Sequence, residues 1–170
     1  MRRQVLSILV ENESGVLSHI SGLFSRRGYN IDSISAGVTA DPRFTRITIV
    51  TSGDELLLEQ IKKQVAKLED VIDVKILHNS SSVVYELMLV KIAAERKSSR
   101  TPMVSFKELV DSFNGKIVNQ NRDCFVVRIV GNTDKLDDFI AMLDDYEILE
   151  LARTGLTGLS RGVEDVLFID

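Results

Sequence analysis

The sequence predicts an α+β protein in which the element order β-α-β-β-α-β occurs twice in tandem. Three observations lead there. Short apolar runs of strand type alternate with segments whose apolar residues recur at helical spacing. A polar stretch, His78-Asn79-Ser80-Ser81-Ser82, divides the 170 residues near their midpoint, and the same order of elements follows it. The composition, 44% hydrophobic and 27% charged, is that of a soluble globular chain. A chain of this size buries roughly 70% of its unfolded surface and needs no covalent staple.

The first half can be read element by element. Gln4 to Val10 is a strand. Asn12-Glu13-Ser14-Gly15 breaks it, and Val16, Leu17, Ile20, Leu23 and Phe24 follow at helical spacing. Gly28 ends that helix, behind Arg26 and Arg27, cations suited to a helix C-terminus. Ile31 to Thr39 and Phe44 to Thr51 are two strands joined through Asp41-Pro42-Arg43 as a hairpin. Ser52 and Glu55 have capping-box spacing. The helix they open places Leu58, Ile61, Val65 and Leu68 on one face, and Val71 to Leu77 is the closing strand. Two interleaved β-α-β units of this kind make a four-stranded antiparallel sheet with both helices on one side.

The second half repeats the order with little sequence identity. Val83 to Ile92 is a long strand, followed by a charged loop through Glu95, Arg96, Lys97 and Arg100. Ser105 and Glu108 form a second capping-box pattern, with Phe106, Leu109, Val110 and Phe113 at i, i+3, i+4, i+7. Gly115 stops that helix. Ile117-Val118 and Phe125 to Val130 are strands that turn through Asn121-Arg122-Asp123. Leu136, Phe139, Ile140 and Leu143 mark a helix, and Ile148 to Ala152 closes the set. The domains expected are therefore 4–78 and 83–170, the second ordered to about 153 and ending in an irregular tail, Thr154 to Asp170, that carries Gly155, Gly158 and Gly162.

Charge and cysteine usage exclude several classes. Twenty-one basic against twenty-five acidic residues give −4, the wrong sign for a nucleic-acid or membrane-surface binder. Residues 1–85 are balanced at ten and ten, whereas 86–170 hold eleven basic and fifteen acidic residues. Asp137, Asp138, Asp144, Asp145 and Glu147 drive that excess. They read first as a solvated helix face, with partner docking or a loosely held divalent cation as the alternatives. One cysteine, Cys124, makes no intramolecular disulfide and reads as a small apolar strand residue, which fits a reducing compartment. No signal peptide or membrane helix is visible, so a cytoplasmic location is expected.

Catalytic chemistry finds little support. His19 lies out of phase with the first helix's apolar stripe and reads as a surface residue, while His78 begins the linker. Two separated histidines and one cysteine do not make a structural zinc site. No serine has a nucleophile-elbow context, and Asp32-Ser33 reads as strand polarity. No glycine-rich phosphate loop is present. RNA recognition on such a sheet needs aromatic platforms and positive charge, but aromatics are 6% of the chain and tryptophan is absent. Acylphosphatase-type hydrolysis lacks its anion cradle in the first loop. That loop remains the feature of interest, since it joins a strand end to helix amides that have no intrahelical partner. A carboxylate or phosphate can sit at such a place, with Gly15 allowing close approach and Asn12 offering a donor and an acceptor. An ordinary capped turn is the competing reading.

The residues also carry a family resemblance. Leu6 to Leu17, followed by Gly22-Leu23-Phe24-Ser25-Arg26-Arg27-Gly28-Tyr29-Asn30-Ile31, resembles the start of the acetolactate (acetohydroxyacid) synthase small-subunit family. The likeness continues through Asp41-Pro42, Thr48-Ile49-Val50 and Leu87-Met88-Leu89-Val90-Lys91 to Gly158-Leu159-Ser160-Arg161-Gly162, and so covers nearly the whole chain. It implies two ferredoxin-like domains in tandem, the N-terminal one an ACT domain, an amino-acid sensor. It implies a non-catalytic subunit whose partner, the large subunit, carries thiamine diphosphate, Mg²⁺ and FAD. The small subunit then raises the large subunit's activity and confers feedback inhibition by L-valine in branched-chain amino-acid synthesis. A free-standing amino-acid sensor is the alternative. By the same resemblance the effector residues are Asn12, Gly15 and Val16 of the loop, Asn30 facing the ligand across a dimer interface, Gly37 where relatives often have alanine, and Gln60 in the second helix. Loop amides would hold the carboxylate, the Asn12 and Asn30 oxygens the ammonium, and small Ala36-Gly37 would leave room for an aliphatic side chain. An exposed sheet edge is normally covered, so a homodimer through the N-terminal domains is expected.

Overall fold

Residues 2–97 and 105–163 are described in a computed structural model of the chain. They fall into two compact units, one comprising the chain up to Val84 together with the segment from Leu156 onward, the other Tyr85–Gly155.

In the first unit, β1 (Arg2–Glu11), α1 (Val16–Arg27), β2 (Ser33–Val38), β3 (Phe44–Gly53), α2 (Glu55–Val65) and β4 (Val71–Leu77) follow the expected order. The sheet runs β2-β3-β1-β4, antiparallel throughout. Alternation along the strands sends Leu6, Ile8, Val10, Ile47 and Ile49 to one face. There they bury with Val16, Ile20, Leu23 and Phe24 of α1 and Leu58, Ile61 and Val65 of α2. α1 ends as its composition predicts: Gly28 is left-handed at φ 67°, and the Tyr29 amide reaches back to Phe24 O at 2.9 Å. The hairpin turn is fastened by Asp41, whose carboxylate accepts from the Arg43 backbone and guanidinium and is held below the usual carboxylate range by them.

The second unit repeats the arrangement with β5 (Ser82–Arg96, in this unit from Tyr85 onward), α3 (Phe106–Ser112), β6 (Lys116–Gln120), β7 (Cys124–Gly131), α4 (Thr133–Ala141) and β8 (Tyr146–Arg153), in strand order β6-β7-β5-β8. Met88, Val90, Ile92, Val127 and Ile129 pack against Val110, Leu136, Phe139 and Leu143. Aromatic contacts tighten this core. Phe106 lies 5.3 Å from Phe125 and 5.1 Å from Tyr146, and Phe113 meets Phe139 edge-on at 5.2 Å. The Ser105–Glu108 capping box forms as its spacing predicts, and its bonds hold the Glu108 carboxyl below the ordinary range. Asn121 turns the β6-β7 hairpin by accepting from the Asp123 and Cys124 amides.

Three expectations need correction. Ser52 does not cap α2. It remains in β3 and donates to Asp32 Oδ2 at 2.6 Å, while Asp54 accepts from the Leu57 amide in its place. β5 runs on through Glu95 and Arg96, which composition assigned to a loop. The tail is not wholly irregular, because Thr157–Ser160 forms β9. Leu156 is buried with Val5, Val50 and Leu77 on the far side of the first sheet, so the segment from Leu156 groups with the first unit. Gly158 makes this closeness possible: an added Cβ would stand 2.8 Å from both Leu77 Cδ1 and Val84 Cγ2 and 3.0 Å from Val83 O. Arg161 fastens the end through its amide to Ser81 O and its Nε to Ser82 O. Arg100 and residues 164–170 lie outside the described residues.

Candidate functional site

The loop between β1 and α1 is held from behind. The Glu11 amide donates to Asp70 O and the Asn12 amide to Arg43 O. The Asn12 side chain reaches the same hairpin, its Nδ2 donating to Pro42 O at 2.9 Å and its Oδ1 accepting from Thr45 Oγ1 at 2.9 Å. Asn12 therefore works as a stitch between the loop and the β2-β3 turn. One of its oxygen's two lone pairs is already engaged, so it offers an ammonium group less than the sequence suggests.

Gly15 occupies the N-cap position of α1 at φ 98°, ψ −17°, a left-handed conformation that disfavours any side chain. No side chain caps this helix and its first turn has no acidic residue. By contrast α2, α3 and α4 are capped by Asp54, Ser105 and Asn132. Steric crowding at Gly15 is not the constraint, because the nearest atom to an added Cβ is His19 Nε2 at 4.0 Å. The backbone conformation is. Val16 is buried and anchors the helix start in the core.

His19 was expected on the surface and is exposed, but it is not idle. Its Nδ1 lies 2.6 Å from Asp70 Oδ2, on the segment that also receives the Glu11 amide. Nothing local in the sequence signals a partner 51 residues away.

Asn30 sits elsewhere. Its Nδ2 donates to Asp32 Oδ1 at 2.6 Å and its carbonyl accepts from Thr51 Oγ1. Asn12 is bonded to Arg43, at the start of β3, whereas Asn30 is bonded to Thr51, near its end. At about 3.3 Å per residue these anchor points are roughly 25 Å apart. The residues that resemblance groups into one site are thus at opposite ends of one sheet. Gly37 belongs to the Asn12 end, paired with Arg46, and no atom lies within 4 Å of a Cβ added there. Gln60 is exposed on α2.

Among the described residues no three histidine, cysteine or acidic side chains converge as metal ligands. Of the acidic group in the second unit, Asp137 receives Arg153 Nη2 at 2.5 Å. Among the described residues no helix is long and apolar enough to cross a membrane. Cys124 is a free, partly buried thiol in β7.

A βαββαβ sheet with both helices on one face is the ferredoxin-like arrangement, and ACT domains are one class built on it. The family models agree over both halves: residues 6–73 match the ACT domain of acetohydroxyacid synthase small subunits, and residues 85–162 match the small subunit of acetolactate synthase. The acetolactate synthase isozyme 3 small subunit of Salmonella typhimurium is 47% identical over 161 residues, covering 94% of this chain and 96% of that protein. A probable acetolactate synthase small subunit of Methanothermobacter thermautotrophicus is 42% identical over 158 residues, covering 93% and 92%. The crystal structure of the Thermotoga maritima acetolactate synthase small subunit superposes with a TM-score of 0.85 at 33% identity, covering 95% of this chain and 99% of that one. The chain belongs to the acetolactate synthase small-subunit family.

Proposed function

We propose that this chain is the regulatory subunit of an acetolactate synthase: it activates a catalytic large subunit and makes that enzyme sensitive to L-valine. Thiamine diphosphate, Mg²⁺ and FAD belong to the large subunit, and the holoenzyme works in the cytoplasm. The effector carboxylate sits at the uncapped amides of α1, where the helix N-terminus favours an anion without a charged side chain. The observation that carries the reading is the separation of Asn12 and Gly15 from Asn30 along β3. A site using all three takes its loop from one copy and its Asn30 from another, so the chain acts as a homodimer through its first units. Asn30 suits that role, because its amide nitrogen is committed to Asp32 while its Oδ1 has no partner among the described residues.

Gly15→Asp tests the proposal. The new carboxylate competes for the helix amides and repels the effector's own, and losing one or two such contacts weakens binding roughly tenfold or more. Valine titration of the reconstituted enzyme is expected to show inhibition lost with activation retained. An unchanged inhibition midpoint would move the site elsewhere. Failure of the chain to co-purify with, or stimulate, its large subunit would leave the free-standing amino-acid sensor as the better reading.

A further inference from the structure

The face of the first sheet turned away from its helices carries a groove with chemistry of its own. It is lined by β2 from Ser35 to Thr39, by Arg46 and Thr48 of β3, and by Thr157–Leu159 of β9. The pairs Ser35↔Thr48 and Gly37↔Arg46 are directly opposed across the strands, so all four share this face, while Ile47 and Ile49 turn to the helices. The Ser35 and Thr157 hydroxyls meet at 2.8 Å and tie β9 to β2.

Arg46 is the unusual member. It is half-buried, and its one hydrogen bond among the described residues is from Nη1 to Ser7 Oγ at 3.0 Å. No carboxylate among those residues lies within ion-pair reach of it. A guanidinium has five N–H donors and binds a carboxylate through two of them at once. A partly desolvated cation with most donors unused is a strong reason for an anion to sit beside it. The space across from it is open, because Gly37 presents no side chain and nothing stands within 4 Å of where one would begin. Leu159 supplies an apolar wall, whereas the Ala36 and Val38 side chains alternate to the other side of β2. No acidic side chain lines the groove to receive an ammonium group.

We propose that this groove binds a small aliphatic carboxylate that lacks an amino group, its carboxylate on Arg46 and its branched chain over Gly37. The groove shares Gly37 with the residues that the resemblance assigns to valine, but its anion partner is Arg46 rather than the amides at Gly15, so Arg46 and Gly15 variants tell the two readings apart.

The probe is 3-methylbutanoate (isovalerate), titrated calorimetrically into the full chain. Saturable binding is expected, weakened about tenfold or more by Arg46→Gln and less by Arg46→Lys. Gly37→Val should abolish binding without lowering the thermal midpoint, since the side chain enters open space on a strand. Gly15→Asp should leave it intact, and neutral isovaleramide should not bind. Absence of saturable binding to the unaltered chain overturns the proposal. So does equal affinity in Arg46→Gln, equal affinity for the amide, or loss of binding in Gly15→Asp. Where Arg46→Gln fails to fold, Gly37→Val decides.

Discussion

The two units reach one topology by different means. In the first, the helices are twelve and eleven residues long and the leading one has no side-chain cap. In the second they are seven and nine residues, both capped, with Phe106 touching Phe125 and Tyr146 and Phe113 touching Phe139. The far faces differ too. The first sheet has Leu156 and β9 against it, whereas the second carries Leu89 and Val130 partly exposed beside a Lys91–Glu150 ion pair. Short helices need their ends secured, because capping is a larger share of a short helix's stability. A longer helix with four buried apolar residues can leave its N-terminus unfilled. The first unit thus leaves helix amides uncapped at the position where Ser105 closes the second.

The comparison breaks hardest at the cores. Phe24→Ala in the first unit and Phe139→Ala in the second each remove a fully buried ring, and each should destabilise by about 3–5 kcal/mol in urea denaturation. Hydrogen exchange should place the loss in α1 and β3 for the former and in α4 and β7 for the latter. Next comes the far face. Gly158→Val drives a side chain into Leu77, Val84 and the Val83 carbonyl, and overpacking of this kind costs about 1–3 kcal/mol. The Thr157 and Arg161 amides should then exchange faster while those of β7 stay protected. Capping separates the units at a smaller scale. Ser105→Ala removes the α3 cap and should cost about 1 kcal/mol by thermal melting.

The smallest effects are in pH. Asp41 in the first unit and Glu108 in the second have lowered carboxyl values, the first through Arg43 and the second through the Ser105 amide. Their contribution is present above the unfolded carboxylate range, about pH 4. It is lost as pH falls through the lower folded values. Lys91 is raised by its bond to Glu150, so its contribution is present below the ordinary lysine range, about pH 10, and lost as pH rises through the folded value. Acid should therefore soften both units and alkali the second. Glu150→Gln should remove the alkaline difference between their exchange profiles, and its persistence would assign it to another group.

Most of the fold was legible because its signals are local. Apolar spacing locates all four helices among the described residues, and the β4 bounds agree with the sequence at both ends. The α2 cap was misread because Ser52 and Asp54 both suit an N-cap, and only the length of β3 decides between them. β9 was missed because Thr-Gly-Leu-Ser has no strand pattern. Its place comes from Leu156 burial and the close approach at Gly158, both tertiary facts. At the site, the position of the loop was legible from a strand end meeting a helix start. The Asn12 bonds to Pro42 and Thr45, the His19–Asp70 pair and the distance to Asn30 depend on register, which one-dimensional spacing does not carry.

That the loop and Asn30 stand at opposite ends of β3 has a consequence in the language of genetic complementation. In a pair built as proposed, each pocket draws its loop from one chain and its asparagine from the other. A chain bearing Gly15→Asp and a chain bearing Asn30→Ala are each defective in both pockets when paired with themselves. Mixed, they concentrate both lesions in one pocket and leave the second wholly wild type. Two valine-insensitive alleles expressed together should therefore restore partial valine sensitivity, whereas two lesions within one loop should never complement.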